Sequence, residues 1–124
     1  MTFPDPFRKD GAERLAFQVR PRTEGTAVVL HVYGEVDLST AGELEEAVAA
    51  ALVEKPATLI VDLTDVTFLD SAGLGVLAHG HVKVHEQLSL RIVVTSEVVL
   101  KPLRLTGLDK LLAIYDSVDA ALRA

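Results

Sequence analysis

A carboxylate and a hydroxyl stand side by side at Asp70 and Ser71, inside the stretch Val66-Thr67-Phe68-Leu69-Asp70-Ser71-Ala72-Gly73-Leu74-Gly75. Two chemistries suit that pair. Short side-chain oxygens accept from the unpaired amides that open a helix, so either residue can serve as a cap. A serine hydroxyl at the positive end of a helix dipole is also a place where a covalently attached phosphate is tolerated. The local residues leave both readings open.

Other arrangements are weaker. A hydrolase elbow needs glycine two residues before its serine, and Leu69 stands there with no histidine and acid pair to complete a triad, so no catalytic residue is expected. Among His79, His81 and His85 only the last two share a helical face. With no thiolate or carboxylate at ligand spacing they predict no metal site, and His81 reads as a partly buried packing residue. Gly73-Leu74-Gly75-Val76-Leu77-Ala78 fits the dinucleotide fingerprint formally. The chain is too short for paired mononucleotide halves, two strands precede the motif, and no acid closes the next strand, so no cofactor is expected. Gly73 and Gly75 then read as positions of close backbone approach at the first helical turn. Asp37, Asp62 and Asp70 suggest the acidic pocket of a phospho-acceptor, although Asp62 lies in an apolar strand and is equally suited to a structural pairing.

The elements that must position Asp70 and Ser71 are legible on both sides. Leu74, Leu77, Ala78 and His81 recur at helical spacing and predict a helix over about 74–85 opened by Ser71. Thr58–Leu63 and Ser89–Thr95 are short β-rich apolar runs without alternation, which predicts buried strands, parallel and joined by a right-handed crossover. Upstream, Leu15, Phe17 and Val19 alternate with polar residues, Arg22–Gly25 supplies a turn, and a second strand runs from about Thr26 to Tyr33 as an antiparallel hairpin partner. Thr40 with Glu43 reads as a capping box opening a helix that buries Leu44, Ala47, Val48, Ala51 and Leu52 and stops at Pro56. Pro102 and Gly107 bound a short helix over Lys101–Thr106. Ala113–Tyr115 reads as a last strand, and Ser117 as the cap of a final helix over 118–123.

At 124 residues the chain is one α/β domain, a mixed sheet of four or five strands with about four helices. Residues 1–14, with two prolines, a glycine and several charges, read as a mobile arm before a domain at 15–124. An apolar share of 49% rules out wholesale disorder. A formal charge of −6 without a basic cluster gives no source for direct nucleic-acid binding. The absence of cysteine removes disulfide and thiolate chemistry and fits a reducing cytoplasm. No apolar run approaches the roughly 18 residues that span a bilayer, so no membrane association is expected and the localisation reads as cytoplasmic.

Taken together, Phe68–Gly75 resembles the signature of the STAS-domain anti-sigma factor antagonists, in which the serine after the aspartate is the phosphorylated residue. Gly34–Ala41 is similar to that family's upstream loop, and Leu105-Thr106-Gly107-Leu108-Asp109-Lys110 resembles its distal segment. Ala72 departs from the pattern, since many members carry a second hydroxyl there. The resemblance implies a non-enzymatic protein that binds an anti-sigma factor with serine kinase activity and so releases a sigma factor. Phosphorylation of Ser71, with ATP held by the kinase, would switch binding off, and a serine phosphatase would restore it. It further implies that Asp37, Ser39, Asp70, Ser71, Gly73 and Leu74 contribute to partner binding, with Asp37 and Asp70 flanking Ser71 and Glu35 a lesser candidate. The alternative is a ligand-binding or scaffold STAS module of a sensory or lipid-transport assembly, in which Ser71 is only a cap.

Overall fold

The computed structural model describes residues 8–9, 12–13, 16–84 and 88–124. In chain order the elements are β1 (Arg8–Lys9), β2 (Ala12–Glu13), β3 (Gln18–Glu24), β4 (Ala27–Val36), α1 (Ala41–Val53), β5 (Thr58–Leu69) and α2 (Ser71–Lys83). There follow β6 (Ser89–Val93), α3 (Glu97–Leu105), α4 (Leu108–Leu111), β7 (Ala113–Tyr115) and α5 (Val118–Arg123). The arm expected over residues 1–14 lies outside the described residues, apart from the two-residue antiparallel ladder of β1 with β2. Leu15 and His85 are likewise outside them.

The apolar run beginning at Thr58 becomes the middle of a five-stranded sheet ordered β3-β4-β5-β6-β7, in which only β3 is antiparallel to its neighbour. It lacks alternation because both of its faces are covered. Leu59, Val61 and Leu63 join Leu44 of α1, Val76 and Leu77 of α2, and Val99 and Leu103 of α3 in the main core. Ile60, on the opposite face, meets Val29, Val93 and Ala121 of α5 in a smaller one. Arg91 ties α5 to this face by donating from Nη1 to the Ala121 carbonyl. The expected hairpin, parallel pairing of β5 with β6, last strand, Ser117 cap and final helix are all present.

Several boundaries differ for physical reasons. β3 runs through the expected turn as far as Glu24, so that Glu24 pairs with Ala27, and most of the strand is exposed. It is an edge strand, where Pro21 and the flanking arginines are admissible. α3 starts at Glu97 and carries Pro102 in its interior. An interior proline costs about 3 kcal/mol or more. Full burial of Val99 and Leu103 offsets this at roughly 1.5–3 kcal/mol each. The carbonyl that lost its partner belongs to exposed Val98, within reach of water. α2 ends at Lys83, two residues before the expected boundary, and His81 on it is exposed, not a packing residue.

Asp62 is the one buried charged residue among those described. His31 Nδ1 donates to its Oδ2 at 2.8 Å across the β4–β5 pair, and the Thr64 amide donates to Oδ1 at 3.0 Å, joined by the Thr64 hydroxyl. Its carboxylate is thereby committed to the sheet and is not part of an acidic pocket with Asp37 and Asp70. Asp62→Ala, which removes the acceptor of all three donors, is expected to lower the unfolding free energy by about 2–3 kcal/mol in urea titration.

Candidate functional site

The site is built where β4 and β5 end together. Val36 pairs with Leu69 in the parallel register, and the Asp70 amide donates to the Val36 carbonyl at 3.1 Å. Two register shifts precede this point, one of them beside Gly34, whose φ of 94° only glycine takes readily. The loops leaving the two strands therefore emerge side by side. One is Asp37–Thr40, entering α1, and the other is Asp70, entering α2.

Asp70 caps α2. Its Oδ1 accepts from the amides of Ala72 at 2.8 Å and Gly73 at 3.3 Å, a pairing worth about 1 kcal/mol. Ser71 is the first helical residue and is exposed. The two residues thus divide the roles that the sequence left open at both, with the carboxylate taking the cap and the hydroxyl left at the surface. The same cap fills the amides that a dinucleotide's pyrophosphate would need.

The other loop is organised by Asp37. Its Oδ1 accepts from the Ser39 amide at 2.9 Å and from the Ser39 hydroxyl at 2.7 Å. The expected capping box at Thr40 is not made. Instead the Thr40 hydroxyl donates to the Glu35 carbonyl at 2.8 Å and accepts from the Asp37 amide at 2.9 Å, closing the loop back on the end of β4. The Asp37 carbonyl meanwhile accepts from the amides of Thr40 and Ala41.

Gly73 is buried, and a Cβ there would run into Leu69 and come within 2.7 Å of Val36 Cγ1. Its contribution is to let α2 sit against the ends of β4 and β5. The close approach expected at Gly75 is absent, since nothing lies within 4 Å of a Cβ built there. Leu74 is half-buried against the main core. On the exposed side, His79 Nδ1 of α2 lies 3.1 Å from Glu45 Oε2 of α1 and links the two helices. No group of three or more metal-ligating side chains comes together among the described residues.

Sequence reasoning missed two apolar residues at this end. Leu38, in the Asp37 loop, is 85% exposed, and Phe68, just before Asp70, is 46% exposed. Leu38 had a signal, an isolated leucine within a polar loop. Phe68 had none, because its apolar neighbours Val66 and Leu69 are buried.

Two outcomes test this geometry. Gly73→Ala is expected to destabilise the domain by about 1–3 kcal/mol in denaturant titration, because Leu69 and Val36 must shift to admit the methyl. The Ser39 hydroxyl is the largest influence on Asp37 and holds its carboxyl below the ordinary value, with desolvation opposing it. Its titration midpoint by NMR should therefore lie below the ordinary aspartate value and rise toward it in Ser39→Ala. Because the folded value is depressed, this bond's stabilisation is present above the unfolded midpoint and is lost as pH falls through the folded one.

Comparison with known proteins gives a consistent placement. The STAS domain family profile matches residues 17–121. The anti-sigma-F factor antagonist RsfB of Mycobacterium tuberculosis is 37% identical over 94 residues, covering 76% of this chain and 77% of that protein. The anti-sigma-B factor antagonist of Listeria monocytogenes is 31% identical over 86 residues, covering 68% and 75%. Among solved structures, an anti-sigma factor antagonist from Mycobacterium paratuberculosis superposes with a TM-score of 0.84 at 33% identity, covering 87% of this chain and 92% of that one. The family match takes in β3 through most of α5, including both loops of the site, and on that extent the chain belongs to the STAS-domain family of anti-sigma factor antagonists.

Proposed function

We propose that this protein binds an anti-sigma factor with serine kinase activity, thereby releasing a sigma factor, and that phosphorylation of Ser71 switches the binding off. The observation that carries this reading is the exposed Ser71 hydroxyl at the first position of α2, beside a carboxylate already engaged as the cap. The names of the relatives support the antagonist role, and the protein acts by binding, not by catalysis. Asp37, Ser39, Asp70 and Ser71 supply the polar part of the partner-binding surface, and Leu38 and Phe68 its apolar part. Gly73 and half-buried Leu74 act by seating the helix that carries it. A serine phosphatase restores the binding state. We place this activity in the cytoplasm, where a sigma factor acts; no helix among the described residues is long and apolar enough to cross a membrane.

The electrostatics make the switch local. A phosphate adds close to two negative charges to a chain already at −6. At a bare helix terminus those charges would be stabilised by about 0.3–1 kcal/mol. Here Asp70 occupies two of the first-turn amides and sits alongside with its own charge, so the gain within the domain is small. A charge buried against a partner without a counter-charge costs several kcal/mol, and each 1.4 kcal/mol is about tenfold in affinity. The modification therefore changes the interface far more than the fold.

Incubated with ATP and its kinase, the wild type should gain one phosphate by mass spectrometry and Ser71→Ala none; a scaffold module would gain none in either form. In calorimetry Ser71→Ala should bind the anti-sigma factor whether or not ATP is present. Ser71→Asp should bind at least about a hundredfold more weakly while melting within a few degrees of wild type. Tight binding by Ser71→Asp, or loss of binding through unfolding, would refute the mechanism.

A further inference from the structure

Most of the described glycines have a reason within the domain. Gly25, Gly34 and Gly107 hold positive φ angles, and Gly73 and Gly80 are buried. Gly42 and Gly75 have neither reason. Each lies in ordinary helix, is exposed, and has nothing within 4 Å of the place a Cβ would take. Glycine weakens a helix relative to alanine, and nothing inside the domain compensates at these two positions.

Their placement is shared. Gly42 precedes Glu45 by three residues and Gly75 precedes His79 by four, and Glu45 and His79 are the pair that joins α1 to α2 on the exposed side. Residues three and four apart on a helix share a face. Both glycines therefore lie on the surface common to α1 and α2, one turn closer than that link to the Asp37 and Asp70 loops. Ser71 stands a further turn along the same line, four residues before Gly75. Leu38 and Phe68, the exposed apolar residues of that end, border the same loops.

We infer that Gly42 and Gly75 are contact positions for the anti-sigma factor, kept without side chains so that a ridge of the partner packs at backbone distance between the first turns of α1 and α2. This rests on the function proposed above. It explains why helix stability is given up at these two positions, and it places the partner's closest approach one turn from Ser71, where an added phosphate would stand in the way.

The test compares wild type, Gly75→Ala, Gly75→Leu, Gly42→Leu and the distal exposed Ala50→Leu. Each is melted alone and titrated by calorimetry against the purified anti-sigma factors of the source organism. Gly75→Ala should melt about 2–8 °C higher than wild type yet bind at least tenfold more weakly. Gly75→Leu and Gly42→Leu should bind more weakly still, and Ala50→Leu as wild type does. If both leucine variants bind like wild type, or if Ala50→Leu is weakened equally, this inference is wrong while the proposed function stands. If wild type binds none of the anti-sigma factors, the proposed function fails and takes this inference with it.

Discussion

The hydrogen bond from the Asp70 amide to the Val36 carbonyl closes the parallel pairing of β4 with β5 at the point where both strands give way to helices. Everything at the candidate site hangs from that closure. It brings the Asp37 loop beside Asp70, sets α1 and α2 off in parallel starts, and leaves so little room between strand ends and helix that position 73 admits no side chain. A parallel pair has no hairpin to hold its register, so the register must come from side chains and bulges. The irregularity at Gly34 and the His31–Asp62 bond across the same two strands supply it.

That arrangement separates a rigid part of the site from a presented part. Asp70 and Gly73 are spent on internal bonds and packing, Asp37 and Thr40 on their own loop. Ser71, Leu38, Phe68 and Gly75 carry no such internal duty and are exposed. A binding surface built this way is preorganised, since the groups a partner meets are carried by elements whose own polar requirements are already met. It also keeps a change at Ser71 from propagating inward, because no bond of the cap depends on the serine side chain.

What was legible in the sequence was whatever depends on near neighbours. The helix start at Asp70-Ser71, the cap at Ser117, Gly107 just past α3 and the unalternating run from Thr58 all follow from local chemistry. What was not legible depends on the tertiary setting. Thr40 abandons its capping box because, where β4 ends, the Asp37 amide takes its hydroxyl oxygen as acceptor and the Glu35 carbonyl takes its proton. Pro102 sits within α3 because Val99 and Leu103 are buried completely, which local propensity cannot weigh. His81 faces solvent although it falls near an apolar periodicity, and Phe68 is exposed although Val66 and Leu69 near it are buried. The identity of Ser71 as the presented hydroxyl needed both scales, the motif to find it and the Asp70 bonds to free it.

The parallel closure has a kinetic side. Val36 and Leu69 meet only after the whole of α1 and most of β5 have been spanned, whereas the β3–β4 hairpin needs a turn of two residues. Contacts between distant parts of a chain form late, since their loop entropy must be met before they yield anything. The hairpin can therefore form while the paired loops do not yet exist. A chain caught in that state would carry the serine without the Asp37 loop beside it or the helix start beneath it. Under the function proposed above, completion of the sheet is then a licensing step, since only a fully folded molecule presents the shape a partner would meet.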